Sequence, residues 1–511
     1  MNAGPRPHGN TFGPAWSIFV SMKPVLAALL LSTATLAAAA MAEEPATGTT
    51  PTGATPPAAT ATPAVPAPVS AAILAVDQRM EAYDQFKTLF ETARFEEALP
   101  FAQRVVEFSE AHPERDVELS VAYNNLGATQ YQLSDHVAAE TSYKKSLALL
   151  EANQGMSSKR LITPLAGLGI VYAALDQHAL AVLQFDRALA VSRRSDGLFN
   201  LAQLQLIERA ANSRFALGDY GGVERDRFYA LKIAEQNYGY NDPRTLPAAM
   251  DLAIFYESLK EYIAARGLYL RVRDIGMKES GGFNPLVIKS LIGIGRTHRL
   301  QYTMEPESLE SQQPARDDVT GEIVGKVYRE SRVPPPAADR AGLKSIEKAL
   351  ELLRAVADPP RPLLAEALVE LGDWYQATSR VSTASPFYAE ASTIFAADLD
   401  SGMGNPLLAP RVVFYRPPLA STRGIGIVTG AVVVHETQFS FVVTETGDTQ
   451  NLTVVRTNMS NSQLAQSRRA VERAVYSPRF ENGKPVATDG VQFTSKWYEQ
   501  QKAEAPSTTT G

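Results

Sequence analysis

Five small residues, Gly127, Gly169, Ala211, Ala253 and Gly295, stand forty-two positions apart in the chain. In register around them run "YNNLGATQYQLSDHVAAETSYKKSL", "LAGLGIVYAALDQHALAVLQFDRAL", "AMDLAIFYESLKEYIAARGLYLRV" and, later, "LVELGDWYQATSRVSTASPFYAEAS". Each segment offers a small residue, usually an aromatic three or four places on, then Ala, an aromatic and another small residue at fixed offsets. These offsets are helical. Small residues let one helix press on the next, and the aromatics fill the gaps between helices. A fixed period of this length marks a structural unit that buries its apolar face only by stacking on its own copies.

The pattern resembles the tetratricopeptide repeat, a helix-turn-helix unit whose usual period of about 34 residues is exceeded here, as in long variants such as kinesin light chains. Gly169, Tyr172, Ala181, Phe185 and Ala188 form one clear copy, and Gly372, Tyr375, Ala384, Tyr388 and Ala391 form another. "RFEEALPFAQRVVEF", residues 94–108, reads as the second helix of a divergent first repeat. The Gly295 unit is interrupted over 303–337 by a polar, proline-bearing loop, with a small hairpin expected around Thr320-Gly321, before "GLKSIEKALELL" supplies its second helix. The expectation is an α+β multidomain chain. An all-α superhelical solenoid of about seven repeats spans 73–404, followed by a small β-β-α-β domain over 405–500.

In such an array the first helix of each repeat lines a groove. Counting from the small residue, positions three before, one after and four after should face it. They are Asn124, Ala128 and Tyr131 in one repeat, and Glu208, Asn212 and Phe215 two repeats on. The Gly295 repeat contributes Arg296 and Arg299, with Lys289 a turn further back. Two readings stand side by side: a peptide groove with one basic end, or charged helix faces in water.

Beyond "GNPLLAPRVVFYRPP" the period changes, and the prolines and glycine there suggest a hinge between independently folding parts. "GAVVVHETQFSFVVTETGDTQNLTVVRTN" alternates, placing Phe439, Phe441 and Val443 on one face ahead of a Thr-Gly-Asp turn. A helix follows, opened by a Ser460/Gln463 capping box, striped by Leu464, Val471, Ala474 and Val475, and ended by Pro478. Asn482-Gly483 suits a tight turn, and Val491, Phe493 and the residues to Tyr498 form a last strand.

That order, together with "RAVYSPRFENGKPVATDGVQF", resembles the C-terminal domain of the TonB family. The matching residues are Ala474-Val475, the break Ser477-Pro478-Arg479-Phe480, and Gly483-Lys484-Pro485-Val486 before the last strand. "RPPLASTRGIGIVTGAVVV" is similar to the segment that leads into the family's domain, whereas Tyr476-Ser477 departs from its Trp-Arg/Lys-Phe/Tyr pattern. The resemblance implies that an extended strand from an outer-membrane receptor adds to a free sheet edge. The edge expected to take it is Gly490–Tyr498, through Val491, Gln492, Phe493 and Thr494, with Arg479 and Lys496 as charge partners. The alternative is an edge covered by the tail or by a second copy.

"MKPVLAALLLSTATLAAAAMAEEPA" begins at Met22 with one lysine and an uncharged run, and reaches the small-x-small pattern Ala40-Met41-Ala42. Residues 1–42 therefore read as a secretory signal peptide, with Met22 as the expected true start. An uncleaved membrane anchor is the alternative. Residues 43–72, dominated by Pro, Ala and Thr, form a spacer unable to offset the entropy of folding, and 501–511 form a loose tail.

Chemistry has few footholds. The chain has no cysteine, so disulfides, thiolate metal sites and cysteine nucleophiles are excluded. Its six histidines are scattered without metal-ligand spacing. "GIGIVTG" lacks the lysine of a phosphate loop, and no Gly-x-Ser-x-Gly elbow occurs. No catalytic residue, cofactor, metal or small-molecule substrate is expected, and a formal net charge of -6 argues against general nucleic-acid binding.

The expected function is a non-enzymatic scaffold in the periplasm of a Gram-negative bacterium, binding protein or peptide partners in its groove and at its sheet edge. The alternative is an energy transducer held in the inner membrane and acting on outer-membrane transport. In the TonB family that anchor carries a histidine, and none lies between Lys23 and Ala42. N-terminal sequencing of protein from fractionated cells should find Glu43 first, in the periplasmic fraction. Recovery of the intact leader with the inner membrane would establish the transducer instead.

Overall fold

The computed structural model describes residues 71–111, 116–280, 283–301, 314–316, 323–326, 340–397, 404–418 and 432–500. The expected leader and tail, the expected spacer up to residue 70, most of the 303–337 insertion and the Gly424 segment lie outside the described residues, while the last two residues of that spacer, 71 and 72, open the first helix. The chain divides at Gly239–Tyr240 into two compact units.

The described part of the first unit is helical: α1 (Ala71–Glu91), α2 (Phe95–Glu110), α3 (Asp116–Gln132), α4 (His136–Gln154), α5 (Ile162–Ala174), α6 (His178–Asp196), α7 (Gln203–Ala216) and α8 (Tyr220–Tyr238). Consecutive helices pair into four hairpins. The small residue of each first helix has a clear purpose. A methyl group on Gly127 would stand 3.1 Å from the Tyr143 ring, and one on Gly169 only 2.5 Å from Phe185. Each ring lies sixteen residues after its glycine, on the second helix, and is buried.

The turns repeat in the same register. Ser134, Asp176 and Gly218 close the first helices at φ of 62, 60 and 74°. Asp135 and Asp219 then cap the second helices by accepting the amides of Ala138 and Gly222. Gly155 and Gly197 end those helices at φ of 77 and 86°, where a side chain would be strained. Ser158 and Asn200 follow, each accepting the amide two residues on as the next first helix begins.

The second unit opens with α9 (Leu246–Ser258), α10 (Tyr262–Ser280), α11 (Pro285–Leu300), α12 (Arg340–Arg354), α13 (Arg361–Ala377) and α14 (Val381–Ala397), again paired as hairpins. The insertion separates α11 from α12. Gly295 accordingly faces Ile346, fifty-one residues on, where Gly127, Gly169 and Gly372 each face a ring sixteen residues on. Within the insertion β1 (Pro314–Arg316) and β2 (Ile323–Lys326) pair antiparallel, with Thr320-Gly321 between them in sequence.

The remainder holds β3 (Arg411–Phe414), β4 (Val432–Val443), β5 (Thr449–Thr457), α15 (Asn461–Glu472), β6 (Val475–Ser477), β7 (Arg479–Glu481), β8 (Lys484–Val486) and β9 (Thr488–Gln500). Strands β5, β4 and β9 form an antiparallel sheet in that order, while β3–β6 and β7–β8 form two ribbons. Phe439, Phe441 and Val443 lie buried against Val471, Ala474 and Tyr476. The Ser460/Gln463 capping box is present. Asn482 and Gly483, both at positive φ, make the turn between β7 and β8.

Two expectations are corrected. The helix stops at Glu472, well before Pro478, and Val475–Ser477 becomes a strand because β3 supplies the backbone partners. The segment read as a hinge is packed: Leu407 is fully buried and joins Phe480 in the cluster formed by α12, α13 and α14.

Gly169→Ala should lower stability by about 1–3 kcal/mol by crowding Phe185. In a denaturation double-mutant cycle, Gly169→Ala with Phe185→Leu should cost less than the two changes summed, by at least ~0.5 kcal/mol. Simple additivity would show that the ring is not the obstacle.

Candidate partner-binding surfaces

In the first unit the groove positions fall on α3 and α7. Glu208, Asn212 and Phe215 are exposed, Phe215 at 45%. Asn124 is buried, and its Oδ1 has no hydrogen-bond partner among the described residues. Tyr131 is half-buried against His136, the ring centroids 5.4 Å apart. Burial pushes the Tyr131 hydroxyl up in pKa, and the Arg209 guanidinium is near enough to oppose that rise. First helices two hairpins apart thus approach one another over α5, whose groove positions Ala166, Ile170 and Ala173 are small or apolar.

Arg209 escaped the sequence count because it lies two positions before Ala211. Burial lowers its pKa, with Tyr131 and Glu208 acting the other way. No carboxylate among the described residues lies within ion-pair distance of it.

In the second unit the expected basic end of the groove is neutralised. Arg296 binds Glu257 at 3.1 Å and Glu370 at 3.2 Å, and also Glu366. Arg299, 4% exposed, binds Glu370 at 2.7 Å and Asp373 at 3.2 Å. Burial opposes both charges, but the surrounding carboxylates outweigh it and raise both arginines. Lys289, half-buried on α11, has no ion pair among the described residues. A signal for the acids was available: Glu257 is four after Ala253, and Asp373 is one after Gly372. The same positional count applied to every repeat finds both.

Asp373 draws the neighbouring elements together. Its Oδ1 accepts from the Tyr388 hydroxyl at 2.8 Å and from Arg411 of β3 at 2.8 Å. Burial would favour the neutral acid, but Arg411 and Arg299 hold its pKa below the ordinary value.

The two edges of the three-stranded sheet differ. Strand β5 shifts register twice against β4, Asn451 takes φ 55°, and Arg468 donates to the Leu452 carbonyl at 3.3 Å. Such irregularity blunts an edge. Strand β9 keeps unbroken register from Val491 to Gln500 against β4. Gln492 and Thr494 are exposed, Val491 and Phe493 partly buried, and Lys496 stands opposite Glu436. Arg479 is not on this edge: it lies in the β7–β8 ribbon and pairs with Glu481 at 2.6 Å.

Among the described residues no helix is long and apolar enough to cross a membrane, and no three His, Asp or Glu side chains gather as a metal site.

The tetratricopeptide repeat profile matches residues 118–194, which hold α3 to α6. Those residues are tetratricopeptide repeats. The match does not extend to 405–500. No curated protein matches the chain. Solved structures similar to it include the tetratricopeptide-like repeats of a putative kinesin light chain from Podosopora anserina, 16% identical over 40% of this chain and 96% of that one, TM-score 0.36. Apo RapI is 13% identical over 65% of this chain and 89% of its own, TM-score 0.39. The C-terminal part of a Cytophaga hutchinsonii repeat protein is 15% identical over 63% and 96%, TM-score 0.39.

Asp373→Ala should cost about 3–5 kcal/mol near neutral pH, because it removes the buried carboxylate that Arg299, Arg411 and Tyr388 share. The folded pKa of Asp373 is depressed, so its contribution is present above the unfolded value of about 4 and fades as pH falls through the folded one. Denaturation of both proteins across acidic pH should show the gap narrowing. A gap independent of pH would mean that the ionised carboxylate is not its source.

Proposed function

We propose that this chain is a non-enzymatic scaffold that holds one partner protein in the groove of its first unit and a second by strand addition at β9. The observation that carries the second site is the contrast between sheet edges: β5 is twice broken in register, while β9 offers ten regular residues. A partner strand there gains main-chain hydrogen bonds, with alternate side chains meeting Val491 and Phe493 on one face and Gln492 and Thr494 on the other. The groove is supported by its unspent polar groups. Among the described residues no carboxylate forms an ion pair with Arg209 and no donor reaches Asn124 Oδ1, and Phe215 is exposed beside Asn212. The leader supports secretion to the periplasm, and the TonB-like sequence supports an outer-membrane partner for β9.

Main-chain recognition has a distinctive mutational signature. Proline at Gln492 or Thr494, at whichever amide points away from β4, should abolish capture of the strand partner in a pull-down from periplasmic extract and leave the protein folded. Asn212→Ala with Phe215→Ala should weaken only the groove partner. Retention of every partner by a folded proline variant would rule out strand addition at β9.

A further inference from the structure

Two groove positions of the second unit, Arg299 and Asp373, already hold an extended segment, β3, and a third, Gln376, holds the elements beside it. Arg299 Nη1 donates to the Val413 carbonyl at 3.3 Å, and Arg411 of the same strand reaches Asp373 at 2.8 Å. Gln376, four after Gly372, donates to the carbonyls of Thr446 at 2.6 Å and Tyr476 at 3.0 Å. The recognition is mostly of backbone, with one arginine side chain read by a buried carboxylate.

This seam is imperfectly satisfied. Among the described residues, Arg411 Nε and Ser477 Oγ, on residues facing one another across the β3–β6 ribbon, are buried without hydrogen-bond partners. The β3–β6 ribbon is short and shifts register between Val412 and Phe414. Buried polar groups are normally paired, so such a cluster marks a contact whose closed form is not its best-satisfied one.

We propose that the groove face of α11 and α13 is a binding surface for an extended, arginine-bearing segment of a partner protein, and that strand β3 is its displaceable intramolecular occupant. The proposal rests on the reading of first-helix faces as partner surfaces. A fitting segment places an arginine against Asp373 and, two residues later, a carbonyl before Arg299. Occupation by β3 reduces the apparent affinity for an external segment by the fraction of molecules in which the face is free.

The absence of cysteine makes the test direct. Spin labels on Ile263→Cys and Val455→Cys, both at exposed positions, report the distance between α10 and β5 in the full chain. The probe is a synthetic peptide with the sequence of residues 405–416, and its control carries Glu at the place of Arg411. Arg411→Ala in the protein removes the side-chain hold of β3 on Asp373 and so favours release of the face, while Asp373 keeps Arg299 and Tyr388. That variant should bind the peptide at least tenfold more tightly than the parent, reject the control, and change its label distance on binding. Equal affinities, or binding without a change of distance, would make β3 a permanent cap and overturn the proposal. Should Arg411→Ala not fold, Arg411→Lys, which keeps the charge but loses the fork, serves with the same criteria. Persistent partner capture through Asn212, Phe215 and β9 would show that the failure belongs to this inference alone.

Discussion

The Asp373 carboxylate is where the second unit closes. It takes a hydroxyl from α14, a guanidinium from α11 and another from β3. A lone charge at that depth would be expelled or neutralised; two cations and a tyrosine donor make it stable. The corresponding groove positions in the first unit are Ala128, Ile170 and Asn212, none of them charged. One residue type at one place in the repeat thus separates a face that holds a strand of its own chain from faces that carry no charge at that place.

The passage from helices to strands follows from a repeat that starts and is then prevented. Asn405-Pro406-Leu407 copies Asn284-Pro285-Leu286, and in both the asparagine side chain accepts the leucine amide at 2.9 Å. After Asn284 the chain runs on as α11. After Asn405 comes Pro410, which disfavours helix at the residue before it, and the chain leaves extended as β3. Stacked repeats need their last apolar face covered. Leu407 and Phe480 cover it here, the Phe480 ring 5.5 Å from that of Tyr388. The strand module is therefore also the terminal cap of the helices, which explains why a change of period in sequence is not a gap in packing.

What was legible in the sequence was local. The small-residue register, the strand alternation around Phe439, the capping box at Ser460 and the Asn482-Gly483 turn each depend on neighbours within one or two elements. Long-range pairing was not legible in the same way. Arg296 and Arg299 look like free cations until Glu366, Glu370 and Asp373, some seventy residues on, are brought beside them. The apolar stripe through Val475 reads as helix until β3 offers Tyr476 and Ser477 a ladder. Arg209 carries no pattern of its own, and only the approach of α3 to α7 separates it from a solvated surface arginine.

A common physical principle links the proposed binding surfaces. At β9 the free edge presents main-chain donors and acceptors. On α11 and α13 the side chains of Arg299 and Gln376 reach main-chain carbonyls. Both favour a partner that is already extended, because a helical partner has spent those groups on itself. Backbone recognition supplies affinity with little sequence preference, so selectivity must come from the few side chains that interrupt it. Those are Asp373 in one place and the Val491–Phe493 face in the other. A scaffold built this way can accept different extended segments at different sites while sharing one mode of contact, and its choice among them is set by single charges rather than by the fold.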